Sequence, residues 1–166
     1  MKNSCPIQGR HIKIRPLEAK HDGELYQLIR SILESYGLNQ PGTAYYDPEL
    51  ARLSDYYHQD KAAYFVMTDA LGAVIGGVGI APFSEGVAEL QKLYLHPDYR
   101  RQGLGELLVK RAFAFAKKHY EKVYLESHSS LSEAVALYEK LGFQSLTSPY
   151  PGSGHSTMDI WMVYEF

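Results

Sequence analysis

The chain has 166 residues, enough for about one domain, since domains cluster near ~100–150 residues. It is 45% hydrophobic and 22% charged, with 17 basic and 19 acidic residues and a net charge of −2. That excludes a disordered chain and a protein that grips nucleic acid through bulk charge. A single cysteine, Cys5, excludes an internal disulfide. No apolar run approaches the ~18 residues of a membrane span, and Met1 to Arg15 lacks the apolar stretch of a signal peptide, so a cytoplasmic protein without a membrane partner is expected.

Residues 1–10 are expected to form a flexible N-terminus and 11–166 a single domain. His11–Arg15 alternates, with Ile12 and Ile14 on one face, and reads as a strand closed by Pro16. Asp22 is the expected N-cap of a helix to about Tyr36, with Leu25, Leu28, Ile29 and Ile32 on its apolar stripe and Gly37 as its stop. Asn39–Tyr46 reads as a loop. Asp47–Pro48 then predicts a second helix with Leu50, Leu53 and Tyr57 on one face. Ala63–Asp69 and Val74–Ile80 predict a hairpin about the turn Ala70–Leu71–Gly72, and Val87–Leu95 a third long strand. Gly103–Leu104–Gly105 opens a helix to about His119, Val123–Ser127 is a strand, and Ser130 and Glu133 have the spacing of a capping box. The helix that follows carries Ala134, Leu137, Tyr138 and Leu141 on one stripe, and Met158–Phe166 closes the chain as a strand. The order predicts an α+β fold, a mixed, mostly antiparallel central sheet flanked by helices. The unit from Val87 to Ser127 must then be a parallel crossover.

The stretch VAELQKLYLHPDYRRQGLGELL, from Val87 to Leu108, carries the chemistry. A strand runs through a turn with two arginines into a glycine-punctuated helix start. The first N–H groups of a helix lack intrahelical acceptors and, with the helix dipole, form an anion site. Gly103 and Gly105 allow a phosphate close to the main chain, and Arg100 and Arg101 add charge. A P-loop is absent, and Leu108 stands where the dinucleotide fingerprint needs its third glycine. Gly76–Gly77–Val78–Gly79 lies inside a strand and is not a phosphate loop.

The run Arg100-x-x-Gly103-x-Gly105 resembles the central motif of the GNAT N-acetyltransferase superfamily. The segment from Ala134 through Leu137 and Tyr138 to Gly142 and Phe143 resembles a second motif of that family, and the resemblance covers about Ile12 to Phe166. It implies a splayed central strand pair and acetyl-CoA as co-substrate. The pantetheine would pair with the strand backbone at Leu93, Tyr94 and Leu95. The pyrophosphate would sit on the amides of Gln102, Gly103, Leu104 and Gly105, with Arg100, Arg101 and Glu106 at the site. Where the family often has Asn, this chain has Leu131, and Ser129 or Ser130 is the expected substitute for its contact. Tyr138 resembles the general-acid tyrosine, although it also fits the apolar stripe. Glu89 matches the general-base glutamate of one branch of the family. Gln91 and Leu93 are expected on its strand face, bordering the acceptor.

His155 is a weaker candidate, read as a surface residue, and no metal-ligand spacing occurs. Tyr45, Tyr46, Asp47, Tyr56, Tyr57 and Asp60 suit a cationic amine, or they simply pack the second helix. The resemblance implies a small-molecule or protein amine as acceptor and leaves a homodimer open. The alternatives are a non-catalytic acyl-CoA-binding module and a transferase for another acyl-CoA or acceptor.

Overall fold

The structure, a computed structural model, describes residues 4–7 and 10–166. Eight strands form one sheet: β1 (Ser4–Ile7), β2 (Arg10–Pro16), β3 (Ala63–Thr68), β4 (Val74–Ser84), β5 (Val87–Leu95), β6 (Lys122–Ser127), β7 (Gln144–Leu146) and β8 (Ile160–Glu165). Their order is β1-β2-β3-β4-β5-β6-β8-β7. Every pairing is antiparallel except β5 with β6, the predicted crossover. The strand β1 lies within the stretch expected to be a flexible terminus. Residues 1–3, 8 and 9 lie outside the described residues.

Two apolar layers cover the sheet. On one face α3 (Leu104–Ala116) and α4 (Ser132–Lys140) bury Leu104, Leu108 and Ala112 against Val78, Ile80, Leu90 and Leu125. On the other, α1 (Asp22–Ser35) buries Leu25, Ile29 and Ile32 against Tyr64, Val66 and Ala81.

Three expected caps are used differently. Glu18 and His21 cap each other at the 3-10 turn before α1, which frees the Asp22 carboxylate to accept hydrogen bonds from the backbone and hydroxyl of Ser54. Asp47 caps nothing. The second helix is a 3-10 turn at Leu50–Arg52 followed by the single turn α2 (Leu53–Tyr56). The Ser130–Glu133 capping box does not form. Leu131 is the N-cap of α4, Ser130 Oγ turns to His128 Nδ1 at 2.7 Å, and Glu133 pairs with Arg101.

The glycines of β4 have a packing role. A Cβ at Gly77 would strike the Tyr64 ring, and one at Gly79 the Tyr57 ring. Without those atoms both tyrosines lie across β4 and reach β5, where the Tyr64 hydroxyl donates to the Lys92 carbonyl at 2.8 Å and the Tyr57 hydroxyl to Gln91 Oε1 at 2.8 Å. Opposite Val78, β5 carries one extra residue: Gly79 pairs with Gln91 but Gly77 with Tyr94. Lys92 takes φ +51° in this bulge, and the strand's side-chain phase shifts by one residue. The contrast with Gly23, whose added Cβ would meet nothing within 4 Å, gives a prediction. Gly79→Ala should lower unfolding free energy by about 1–3 kcal/mol through overpacking. Gly23→Ala should be neutral or stabilising by up to about 1 kcal/mol. Denaturant titration of the two variants checks it, and an unaffected Gly79→Ala would show that Tyr57 does not need the space.

Candidate active site

The anion site predicted at the start of α3 is built by backbone conformation. After β5, His96 Nδ1 accepts from the Asp98 N–H at 3.1 Å and fixes the 3-10 turn Pro97–Tyr99. Arg101 (φ +60°) and Gly103 (φ +76°) then take the left-handed region, with Gly103 as N-cap of α3. That region rather than space demands glycine at 103, since an added Cβ would meet nothing within 4 Å. Gly105 serves packing: its Cβ would stand 3.1 Å from Leu137 Cδ2, so glycine lets α4 approach α3.

A cavity of about 540 Å³ lies against this helix start, bordered by Leu93, Tyr94, Leu95, Arg100, Arg101, Gly103, Leu104, Gly105 and Glu106. Arg100 is fixed in its wall by hydrogen bonds to the Leu95 carbonyl (3.1 Å) and the Tyr36 hydroxyl (3.0 Å). Arg101 is exposed and 3.2 Å from Glu133, a surface pair worth about 0–1 kcal/mol. Turning it toward an anion therefore costs little. The cavity's size, its apolar floor and the positive helix end fit a coenzyme A arm and its pyrophosphate.

Two expected cofactor contacts lie outside this wall. Gln102 reaches back to the Asp98 carbonyl at 3.4 Å. Ser129 is committed to Asp159, through Oγ at 2.7 Å and N–H at 2.8 Å, and these hydrogen bonds hold the Asp159 carboxyl below its ordinary range. Ser130 is turned to His128, and neither serine borders the larger cavity. Leu131 itself borders the cavity as an apolar wall.

The strands β5 and β6 pair only from Val87–Lys122 to Glu89–Tyr124 and then part. On the α1 side of the opening lies a second cavity of about 80 Å³, bordered by Glu89, Gln91, Lys92, Glu126, Tyr138 and His155 among others. Tyr138 is 6% exposed and packs edge-to-face on Phe143. Burial pushes its hydroxyl pKa well up, so it stays protonated. Burial also raises the Glu89 carboxyl, against the hydrogen bond from Gln91, and the Glu126 charge raises it further.

Leu93 is not on the face of Glu89. The bulge places consecutive Gln91 and Lys92 on that face and sends Leu93 to the α3 side, although Leu93 still borders both cavities. Lys92 is buried, with Nζ 2.7 Å from Asp47 Oδ2 and 3.8 Å from Glu49. His155 is half-buried and, contrary to its surface reading, its Nε2 stands 3.0 Å from Asp47 Oδ1. The hydrogen bond to Asp47 raises the His155 pKa above its ordinary value, against the cost of burial. Burial alone would raise Asp47, but His155 and the Lys92 ammonium outweigh it and hold the carboxyl low. Thr157 joins the same two loops, its Oγ1 donating to the Pro41 carbonyl at 2.7 Å. Together these contacts roof the smaller cavity.

Of the aromatic and acidic set proposed for the acceptor, Asp47 and Tyr57 touch the pocket wall, through Lys92 and Gln91. Tyr45 lies under Arg30, whose guanidinium carbon is 4.1 Å from the ring centre, and Tyr46 is exposed. Sequence reading missed the roles of Lys92 and Glu126. Lys92 carried a signal: it follows Ala88 and Leu90 in the buried phase of β5, where an unpartnered lysine could not stay.

The comparisons with known proteins agree with this geometry. The model of the Acetyltransferase (GNAT) family matches residues 25–143. The N-acetyltransferase YjgM of Escherichia coli strain K12 is 34% identical, over 92% of this chain and 93% of its own. An N-acetyltransferase of Schizosaccharomyces pombe is 32% identical over 87% and 89%. A GNAT-family acetyltransferase from Staphylococcus aureus superposes with a TM-score of 0.84 at 16% identity, over 93% of this chain and 98% of that one. Spermidine N-acetyltransferase from Vibrio cholerae, in complex with CoA and spermine, does so at 0.67 with 23% identity, over 93% and 95%. With the splayed strands, the anion site and these relatives in hand, the chain belongs to the acetyltransferase (GNAT) family and is an N-acetyltransferase that draws its acyl group from coenzyme A.

Proposed function

We propose that the protein moves an acetyl group from acetyl-CoA to a primary amine by direct attack in the cytoplasm. The observation that carries this reading is the meeting of the two cavities: Leu93, Tyr94, Leu131 and Ala134 border both. A thioester held in the larger cavity then faces an amine held in the smaller one, whose wall includes Glu89 and Tyr138.

An alkyl ammonium, with a pKa near ~10.4, must lose a proton before it attacks. Glu89 takes that proton and sheds it to solvent. The nitrogen–carbon bond forms, the carbon–sulfur bond breaks, and Tyr138 protonates the departing thiolate. The second proton of the nitrogen, released as the amide forms, makes good the one Tyr138 gave. Beyond Glu89 the β6-facing edge of β5 has no strand partner among the described residues, so its main-chain N–H groups are available to the developing oxyanion. Catalysis is favoured over a non-catalytic binding module by Tyr138 and Glu89, which both border the pocket, Tyr138 from the edge of the α3-side core.

Three outcomes test this reading. Gly103→Asp and Gly103→Asn share size and tolerance of the left-handed region, so their difference isolates charge. In calorimetry the Asp variant should bind acetyl-CoA at least about tenfold more weakly than the Asn variant. Equal affinities would move the pyrophosphate elsewhere. Tyr138→Phe deletes only a hydroxyl, so kcat should fall about 10²–10⁴-fold with the melting temperature nearly intact. If only Tyr138→Ala is harmful, and chiefly to stability, Tyr138 is a packing residue. Glu89 must be ionised to act, and burial lifts its pKa. The wild-type rate should therefore fall as pH drops through a value above the usual carboxylate range. In Glu89→Gln that limb should vanish, with the greatest loss of turnover above it, where the wild-type carboxylate is ionised, and cofactor affinity kept. A superimposable pH–rate profile would remove Glu89 from the mechanism.

A further inference from the structure

The smaller cavity contains a carboxylate that the mechanism leaves unused. Glu126 lies on β6 two residues beyond Tyr124, the partner of Glu89 in the last β5–β6 rung, and so on the same sheet face as Glu89. Its Oε2 accepts from the Tyr124 hydroxyl at 2.7 Å. Its Oε1 is shielded from solvent and has no hydrogen-bond partner among the described residues, though the residue borders the cavity. A buried carboxylate oxygen left unpaired is costly and calls for a donor. The wall does not supply one. The cations bordering the cavity, Lys92 and His155, are both committed to Asp47. The Glu89 carboxylate already takes the Gln91 amide. The wall therefore offers a carboxylate oxygen with no hydrogen-bonded donor beside a space of about 80 Å³, room for the aminomethyl end of a chain.

Resting on the amine-acetylating reading above, we propose that Glu126 selects the acceptor. Turning out of the wall, its unpaired oxygen docks the incoming ammonium beside Glu89, and its charge rejects any amine with a carboxylate on the carbon that bears the nitrogen. The substrate class is then an unsubstituted alkylamine end, a lysine-type side chain, or an amine whose neighbouring carboxyl is blocked as an amide. Free α-amino acids are excluded, because their carboxylate would face two like charges with no free cation on the wall to receive it.

The test uses hexylamine as the unsubstituted alkylamine, with norleucinamide and norleucine, which differ only in whether the carboxyl beside the amine is blocked as an amide. Wild-type protein should favour norleucinamide over norleucine in kcat/KM by at least about 100-fold, the scale on which like-charge juxtaposition discriminates. Glu126→Gln keeps the shape and an oxygen for Tyr124. It should raise KM for hexylamine about tenfold, leave kcat at saturation within about threefold, and narrow the amide-to-acid gap about tenfold, as loss of one charge-assisted contact does. Glu126→Asp should restore part of that gap. An unaltered gap in Glu126→Gln, or a loss in kcat with KM unmoved, overturns the assignment while amine acetylation stands. If wild-type protein acetylates none of the amines, the broader reading fails instead. Calorimetry of hexylamine with the CoA-saturated protein then decides for Glu126 alone. Binding weakened by Glu126→Gln keeps the docking role, and binding that ignores the substitution removes it.

Discussion

The extra residue in β5 sets the geometry on which both halves of the site depend. By placing Gln91 and Lys92 in succession on the α1 face, it turns a polar ladder toward the acceptor and returns Leu93 and Leu95 to the α3 side. A left-handed lysine at φ +51° is strained, and surrounding contacts hold it. The Tyr64 hydroxyl binds its carbonyl, and Asp47 binds its ammonium. Both contacts trace back to residues that look unremarkable alone. Gly77 admits the Tyr64 ring, and the short 3-10 turn after Asp47 keeps that carboxylate free to leave the helix end.

Much of this molecule is written in local pattern, and the parts that are not share a cause. The helix start at Gly103–Gly105 was legible because its glycines and two arginines are neighbours in the chain, whereas the left-handed turn of Gly103 was not. The boundaries of β5 and the parallel crossover were legible because alternation and connection length are also local. Asp22, Asp47 and Ser130 were misread for the same reason. Each sits at a correct capping distance from a helix, yet each finds a partner that local spacing does not predict: Ser54, Lys92 with His155, and His128. Short polar side chains serve either role at similar energy, and tertiary packing decides. The edge strand at Ser4–Ile7 is a further case, since its pairing with β2 rather than its own composition makes it a strand.

The two cavities differ in kind. The larger has an apolar floor and a positive rim made mostly of main chain, a surface that depends little on side-chain identity. The smaller is made of side chains from β5, β6, α4 and two loops, each of which can vary without disturbing the helix start. A family that keeps one donor and changes its acceptors needs that separation.

The roof over the smaller cavity joins segments far apart in the chain: His155 to Asp47 across 108 residues and Thr157 to Pro41 across 116. Contacts of such separation carry a high loop-closure cost and form late in folding, after the sheet has brought their ends together. They also break without disrupting any strand ladder, because both partners lie in loops. The acceptor side can therefore open as a small sub-global unit while the cofactor side keeps its structure. Exchange of amine for product then requires only that the last contacts to form be the first to part.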